Sequence, residues 1–255
     1  MRSLNNCFLR FHPTLSNRQY VTNLEVLDVG SGTGACIKYW QSLGIKHITG
    51  VDITSVSIRN LRKSFPNLRF HHLDITDNSA PKVLGKKFDI ISAMNVLLHI
   101  TDEEKFTQAI SNMSEMLKDS GLLLIADPIF IHHYWGRPFT EESSSKCRPL
   151  DQYLLTFASK ALSVVGLCPT TFLMSDPIDT NGKMTFRIWR LLWRCISVLA
   201  KDEKSGAIMG RILYIIEGIL ARMFKHTQYG PTGKFMLAEK KTSSALARAS
   251  QLFPA

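Results

Sequence analysis

Gly30, Gly32 and Gly34 alternate directly behind a short apolar run, Val26 to Val29, that carries a carboxylate at Asp28. Glycines at a strand-to-helix turn let the backbone approach a ligand closely, because no Cβ stands in the way, and they aim helix N–H groups at it. Gly30, Gly32 and Ala35 formally satisfy the dinucleotide pattern G-x-G-x-x-G/A, with Asp52 about twenty residues further on. Asp28 points elsewhere. A carboxylate at the end of the strand repels a pyrophosphate and suits a ligand that carries an ammonium group. Asp74, in the stretch Leu73 to Ile75, places another carboxylate at the end of a later apolar run. The bland alternatives are a tight turn without ligand for the loop, a helix-leading acid for Asp52 and a turn former for Asp74.

The elements that must position these residues follow from the hydrophobic pattern. From Glu25 to about Asp127 short apolar runs alternate with helical stretches: "EVLDVG", "HITGVDI", "LRFHHLDI", "FDIISAM" and "GLLLIAD" read as strands. "ACIKYWQSLG" is expected to be a helix stopped by Gly44, and "SVSIRNLRKSF" a helix capped by Ser55, with Pro66 beyond its end. Strands apolar on both faces that alternate with helices imply a parallel sheet covered on both sides. After Asp127 the spacing predicts a polar and aromatic loop, a helix around "LDQYLLTFASKALSVVG", a strand around "PTTFLMS", two helices between about 176 and 229, and a last strand "GKFMLAEKK". The fold class is α/β: a doubly wound, Rossmann-like, seven-stranded sheet with an antiparallel last strand and a helical insertion before it. The expected organisation is an N-terminal segment 1–24, one domain 25–241 and a loose tail 242–255.

With Asp28, Gly30, Gly32 and Gly34 matching acidic-x-Gly-x-Gly-x-Gly, the stretch from about Glu25 to Asp127 resembles the class I S-adenosylmethionine-dependent methyltransferases. The resemblance implies that Asp28 and the loop backbone surround the methionine part of S-adenosylmethionine. Asp52 would take the two ribose hydroxyls and Asp74 the adenine amino group, with Ile53 and Ile75 on the faces of the ring. "AMNVLLHI" resembles the segment beside the cofactor's sulfur, so that Asn95 and His99 would border the methyl donor. It lacks the Asn/Asp-Pro-Pro-aromatic sequence of the amino-directed nucleic-acid enzymes, which favours the oxygen of a small molecule or glycan over the nitrogen of a base. The family places substantial helices before the first strand as a lid, yet 24 residues precede Glu25; either the lid comes from elsewhere or cofactor binding is weak.

A hydroxyl acceptor needs a base, and histidine suits that role near neutral pH. His132 and His133 lie just beyond the fifth strand, with Tyr134 and Arg137 next to them, and are the candidates together with His99. His71 and His72 sit in a strand and point to opposite faces, so no metal is expected. The five scattered cysteines form no C-x-x-C pair, which argues against a disulfide framework or a zinc cluster and for a reducing, cytoplasmic compartment.

The formal charge is +10. Between Thr180 and Lys241 stand twelve basic residues against four acidic ones, so most of the surplus belongs to the C-terminal third. Arg187, Arg190, Arg194 and Lys201 share one helical face, while Ile188, Leu192, Ile196 and Leu199 lie on another, and Trp189 and Trp193 flank them. Two readings follow: a helical cap over the substrate mouth, or peripheral contact of residues 187–201 with an anionic membrane. A nucleic-acid partner is not expected. An NAD-dependent oxidoreductase and a catalytically silent adaptor of methyltransferase fold at a membrane surface remain as alternative functions.

Overall fold

The structure, a computed structural model, describes residues 13, 17–136, 138–200, 202–223 and 230–242. A short helix α1 (Arg18–Val21) leads into β1 (Glu25–Val29), α2 (Ala35–Ser42), β2 (His47–Asp52), α3 (Ser55–Ser64), β3 (Arg69–His72), α4 (Ala80–Leu84) and β4 (Phe88–Met94). A single 3-10 turn (Leu97–His99), α5 (Glu103–Met116) and β5 (Leu117–Asp127) follow. The remainder comprises β6 (His133–Tyr134), α6 (Leu150–Ser159), β7 (Leu162–Pro169), β8 (Asp179–Thr180), α7 (Lys183–Leu199), α8 (Glu203–Met223) and β9 (Lys234–Lys240).

Seven strands form one sheet in the order β3-β2-β1-β4-β5-β9-β7. β1 to β5 run parallel, and β9 lies antiparallel between β5 and β7. The expected architecture is therefore present, helical insertion included. Alternation along β1 sends Leu27 and Val29 to one face, where they pack with Phe106, Ile110 and Met113 of α5 and with Tyr153 and Phe157 of α6. Val26 goes to the other face, with Ile37 and Trp40 of α2 and Ile58 and Leu61 of α3. Asp102 stops water from competing for the start of α5 by accepting the Lys105 N–H at 2.8 Å. Gly44, in the left-handed conformation at φ 95°, follows the end of α2 as its sequence position suggested.

Several boundaries differ from expectation. α3 is preceded by Thr54 as its cap, not Ser55, and β3 ends at His72, so Asp74 lies in the following turn. The helix expected through Gly166 stops at Ser159, because Ala161 turns the chain at φ 59°. Leu162–Pro169 is then a strand, and Thr170–Ser175, expected as the strand, is loop. The β-branched pair Val164–Val165 and the open edge of β9 outweigh the helical periodicity there. The loop after Asp127 carries β6, which pairs with β8. Cys168 is disulfide-bonded, against the expectation of unpaired thiols, while Cys36, Cys147 and Cys195 are free. Among the described residues no cluster of histidine, cysteine or carboxylate side chains gathers to hold a metal. Most of the segment 1–24 and residues 243–255 of the expected tail lie outside the described residues, as do Arg137 and Lys201.

Candidate functional site

β1 and β4 are neighbours in the sheet, yet the chain between them runs outward through β2 and β3. Such a reversal opens a crevice beyond the carboxyl ends of the two strands, where doubly wound sheets bind ligands. A cavity of about 610 Å³ occupies that place. The loop Gly30–Thr33 with Ala35 and Cys36 forms one wall, and Met94, Asn95 and Ala126 form its base. The third wall comes from the second half of the chain: Thr170, Thr171, Met174 and Ser175 of the loop after β7, and Tyr214, Glu217 and Gly218 of α8.

Gly30, Gly32 and Gly34 all have positive φ, at 66°, 50° and 81°. A Cβ on Gly34 would stand 2.5 Å from Phe65, whereas one on Gly32 would meet nothing closer than 3.8 Å. Gly34 therefore serves packing, and Gly32 exposes its backbone to the crevice. Asp52 fastens the loop from behind. Its Oδ2 accepts the Gly32 N–H at 2.8 Å, and its Oδ1 accepts the Thr54 N–H at 2.8 Å and the Thr54 hydroxyl at 2.6 Å. The neighbouring Ile53 is 63% exposed, an apolar surface beside a carboxylate.

Asp28 is fully buried beneath the loop, away from the cavity lining. The Ser92 hydroxyl, across the strand pair, donates to its Oδ1 at 2.7 Å, and the Trp40 indole N–H donates to that same hydroxyl at 3.1 Å. The other oxygen, Oδ2, has no hydrogen-bond partner. Burial pushes the Asp28 carboxyl up to about 6, with hydrogen bonds from Ser92, Cys36 and Ser31 opposing it. Burial and the adjacent carboxylate in turn push the Cys36 thiol up.

Asp74 is half-buried in its turn, where Oδ1 accepts the Thr76 N–H at 2.8 Å. Ile75 has its side chain in the core, 5% exposed, so only Ile53 of the two isoleucines presents an open apolar face. Asn95 adopts a left-handed backbone at φ 55°, ties its N–H to the Ala126 carbonyl at 2.7 Å and lines the cavity. The three histidines do not line it. His99 is exposed, with Nδ1 3.1 Å from the Ser144 carbonyl. The His133 ring lies edge-on to Trp135. His132 donates its backbone N–H to Asp179 Oδ1 at 3.0 Å and holds its ring Nδ1 3.4 Å from the same oxygen.

Three features escaped the reading of the sequence. Glu217 of α8 accepts the backbone N–H groups of Phe172, Leu173 and Met174, and so locks the loop after β7 against the insertion. It is the single acid within the run Ile208–Ile219, a signal that helical periodicity alone does not decode. Lys234 and Asp179 form an ion pair at 3.1 Å with both side chains buried. The Lys234 ammonium also donates to the carbonyls of Ile129, Gly230 and Thr232, while Asp179 accepts the Ile131 N–H as well, which joins β9 to the loop carrying His132. Burial lowers the Lys234 amine from its ordinary value, and Asp179 opposes that shift. Asp127, at the end of β5, is pushed up to about 7 by burial; it accepts the Tyr153 hydroxyl at 3.2 Å and the Leu98 N–H at 3.4 Å, and so anchors the turn beyond Asn95.

Residues 26–121 match the family model described as a methyltransferase domain. The match covers less than half of the chain. Its sequence is similar to a ubiquinone biosynthesis O-methyltransferase of Bartonella tribocorum, 31% identical over 45% of each chain. It is also similar to a phosphoethanolamine N-methyltransferase of Plasmodium falciparum, 34% identical over 44% of this chain and 42% of the other. The chain spans under half the length of these curated relatives. A crystal structure of a SAM-dependent methyltransferase from Archaeoglobus fulgidus shares the fold, with a TM-score of 0.53 at 17% identity over 94% of this chain and 95% of that one. The sheet is that of the class I fold, shared with this structure.

The glycine loop fits S-adenosylmethionine, the cofactor that the resemblance of the sequence implies. The open backbone at Gly32 lines the cavity, with the buried, unpartnered Asp28 Oδ2 beneath the loop, while the exposed Ile53 beside Asp52 lies outside the lining. Tyr214, Glu217 and Gly218 of α8 line the cavity opposite the glycine loop.

Proposed function

We propose that the protein transfers a methyl group from S-adenosylmethionine to a hydroxyl oxygen of a small molecule or glycan. One observation carries this reading: a single cavity has the glycine loop on one side and Thr170, Thr171, Ser175 and Tyr214 on the other, so cofactor and a polar acceptor can meet in it. In this reading Asp28 and the loop backbone hold the methionine part, Asp52 the ribose hydroxyls and Asp74 the adenine amino group. Ile53 offers its exposed face to the ring, and Asn95 borders the reacting centre. When bound, S-adenosylmethionine supplies an electrophilic methyl on a sulfonium. The protein's task is then to hold the acceptor oxygen in line and exclude water, which α8 and the loop it locks are placed to do.

A base must take the hydroxyl proton as the O–C bond forms and the S–C bond breaks. None of His132, His133 and His99 lines the cavity; His132 alone of the three has a carboxylate, Asp179, beside its ring. The exposed apolar side chains of α7 favour a further element of the reading, peripheral contact of residues 187–201 with the cytoplasmic face of a membrane. Transfer of labelled methyl from S-adenosylmethionine into panels of phenols, sugars and amines tests the proposal: label in hydroxyl acceptors is expected. The variant H132A tests the base: a loss of about 10²–10⁴-fold of turnover with cofactor binding kept would assign His132 to it, and full turnover would remove His132 from the reading. Calorimetric binding of NADH without S-adenosylmethionine would overturn the reading in favour of an oxidoreductase, and cofactor binding without any methylated product would favour the silent adaptor.

A further inference from the structure

α7 has one buried side chain, Phe186. Met184, Ile188, Leu191, Leu192, Val198 and Leu199 are each at least 46% exposed. Lys183, Arg187, Arg190 and Arg194 recur at four- and three-residue steps and share one narrow face beside that apolar arc. This face borders a groove of about 510 Å³. Its floor is aromatic: Phe186 stacks on Trp135 at 5.4 Å, and Arg190 lies over Phe186 at 5.5 Å. Trp135 is fixed by its backbone N–H on the Ile178 carbonyl and its indole N–H on the Thr180 carbonyl. α7 contains no acid, and among the described residues none of its four cations pairs with a carboxylate.

α8 extends the pattern. Leu213 and Glu217 turn inward and are buried, while Ile208, Ile212, Ile215, Ile219 and Met223 form an outward stripe, each at least 46% exposed. By helical spacing the exposed Arg211 and Arg222 flank that stripe.

We infer that α7 and α8 together form one docking face for an anionic phospholipid bilayer. The groove between Trp135 and α7 seats lipid phosphates, and the isoleucine stripe of α8 enters the acyl boundary beside it. The inference rests on the reading of residues 187–201 as a membrane contact and extends it to the groove floor and to α8. Charge decides the occupant. Cations beside a large exposed apolar surface match anionic head groups over hydrocarbon. A second copy of this chain, joined by a two-fold axis along the stripe, would bring the arginines of α7 and α8 toward their own copies. No helix among the described residues is long and apolar enough to cross a membrane, so the contact is peripheral. The consequence reaches the cavity: α8 carries the stripe on one side and Tyr214 and Glu217 on the cavity side, so docking sets the cavity wall against the bilayer.

Flotation of the full chain with phosphatidylcholine vesicles, with and without phosphatidylglycerol, tests this. Binding is expected only with phosphatidylglycerol present, and it should fall with added salt. Arg190→Ala with Arg194→Ala should weaken partitioning about thirtyfold. Ile212→Ser with Ile215→Ser should weaken it at least about tenfold. Both variants should keep the wild-type melting temperature and cofactor affinity. Equal flotation of the isoleucine variant and the wild type would overturn the inference while leaving contact through residues 187–201 standing. Failure of the wild type on both vesicle types would remove both. Equal binding to neutral vesicles, or a wild-type dimer that the isoleucine variant dissociates, would also overturn the inference, the latter by identifying a second copy as the occupant.

Discussion

Replacing Asp28 by asparagine removes a charge from beneath the glycine loop while keeping the side chain's shape. Burial holds the native carboxyl at about 6, above the value of 3.8 that an unburied aspartate has. The folded state therefore binds this proton more tightly than the unfolded state. Its contribution to stability is fully present below pH 3.8 and is lost as pH rises through 6. Between a pH of about 4.5 and one of about 8 that loss amounts to about 2 kcal/mol in the cofactor-free protein. Asp28→Asn carries no charge at either pH, so the stability gap between variant and wild type should shift by about 2 kcal/mol in the variant's favour toward pH 8. Asp127 titrates in both proteins and cancels. Urea denaturation of both proteins at the two pH values reads this directly, and any constant cost of the amide cancels too. Stability curves that run parallel from acid to alkaline pH would refute the placement of a buried, weakly partnered carboxyl at this point. The same variant should bind S-adenosylmethionine more weakly by calorimetry, because the charge beneath the glycine loop that attracts a cationic ligand is removed.

Asp52→Ala should weaken S-adenosylmethionine binding about hundredfold in calorimetry, since two charge-assisted hydrogen bonds to a diol are lost together with the acceptor of the Gly32 N–H. Lys234→Met should lower stability by about 3–5 kcal/mol in urea denaturation, because Asp179 stays buried without its cation; pairing it with Asp179→Asn should recover part of that loss.

The glycine loop and the alternation of apolar runs with helical stretches were legible because each is a local matter. A left-handed glycine, a strand buried on both faces and a helix end leave marks within a few residues. The insertion helices were legible for the same reason, as was the last strand. β7 was not: Leu162–Pro169 continues a helical pattern, and only Ala161 and the open edge of β9 make it a strand. Nor could spacing reveal that Ile75 turns into the core while Ile53, beside Asp52, stays open to solvent.

The sequence by itself determined the doubly wound core, the residues offered at the carboxyl ends of its strands and the concentration of positive charge in the last third, since these depend on period, turn chemistry and composition. Tertiary structure decided which distant groups meet. Glu217 reaches back to residues 172–174, Lys234 pairs with Asp179, and Ser92 faces Asp28 across two strands. It also decided that Asp28 lies in a medium that withholds its charge, and that the cavity draws its outer wall from the insertion. Such contacts join residues far apart in the chain, and burial depends on everything packed around a group, so no local pattern encodes them.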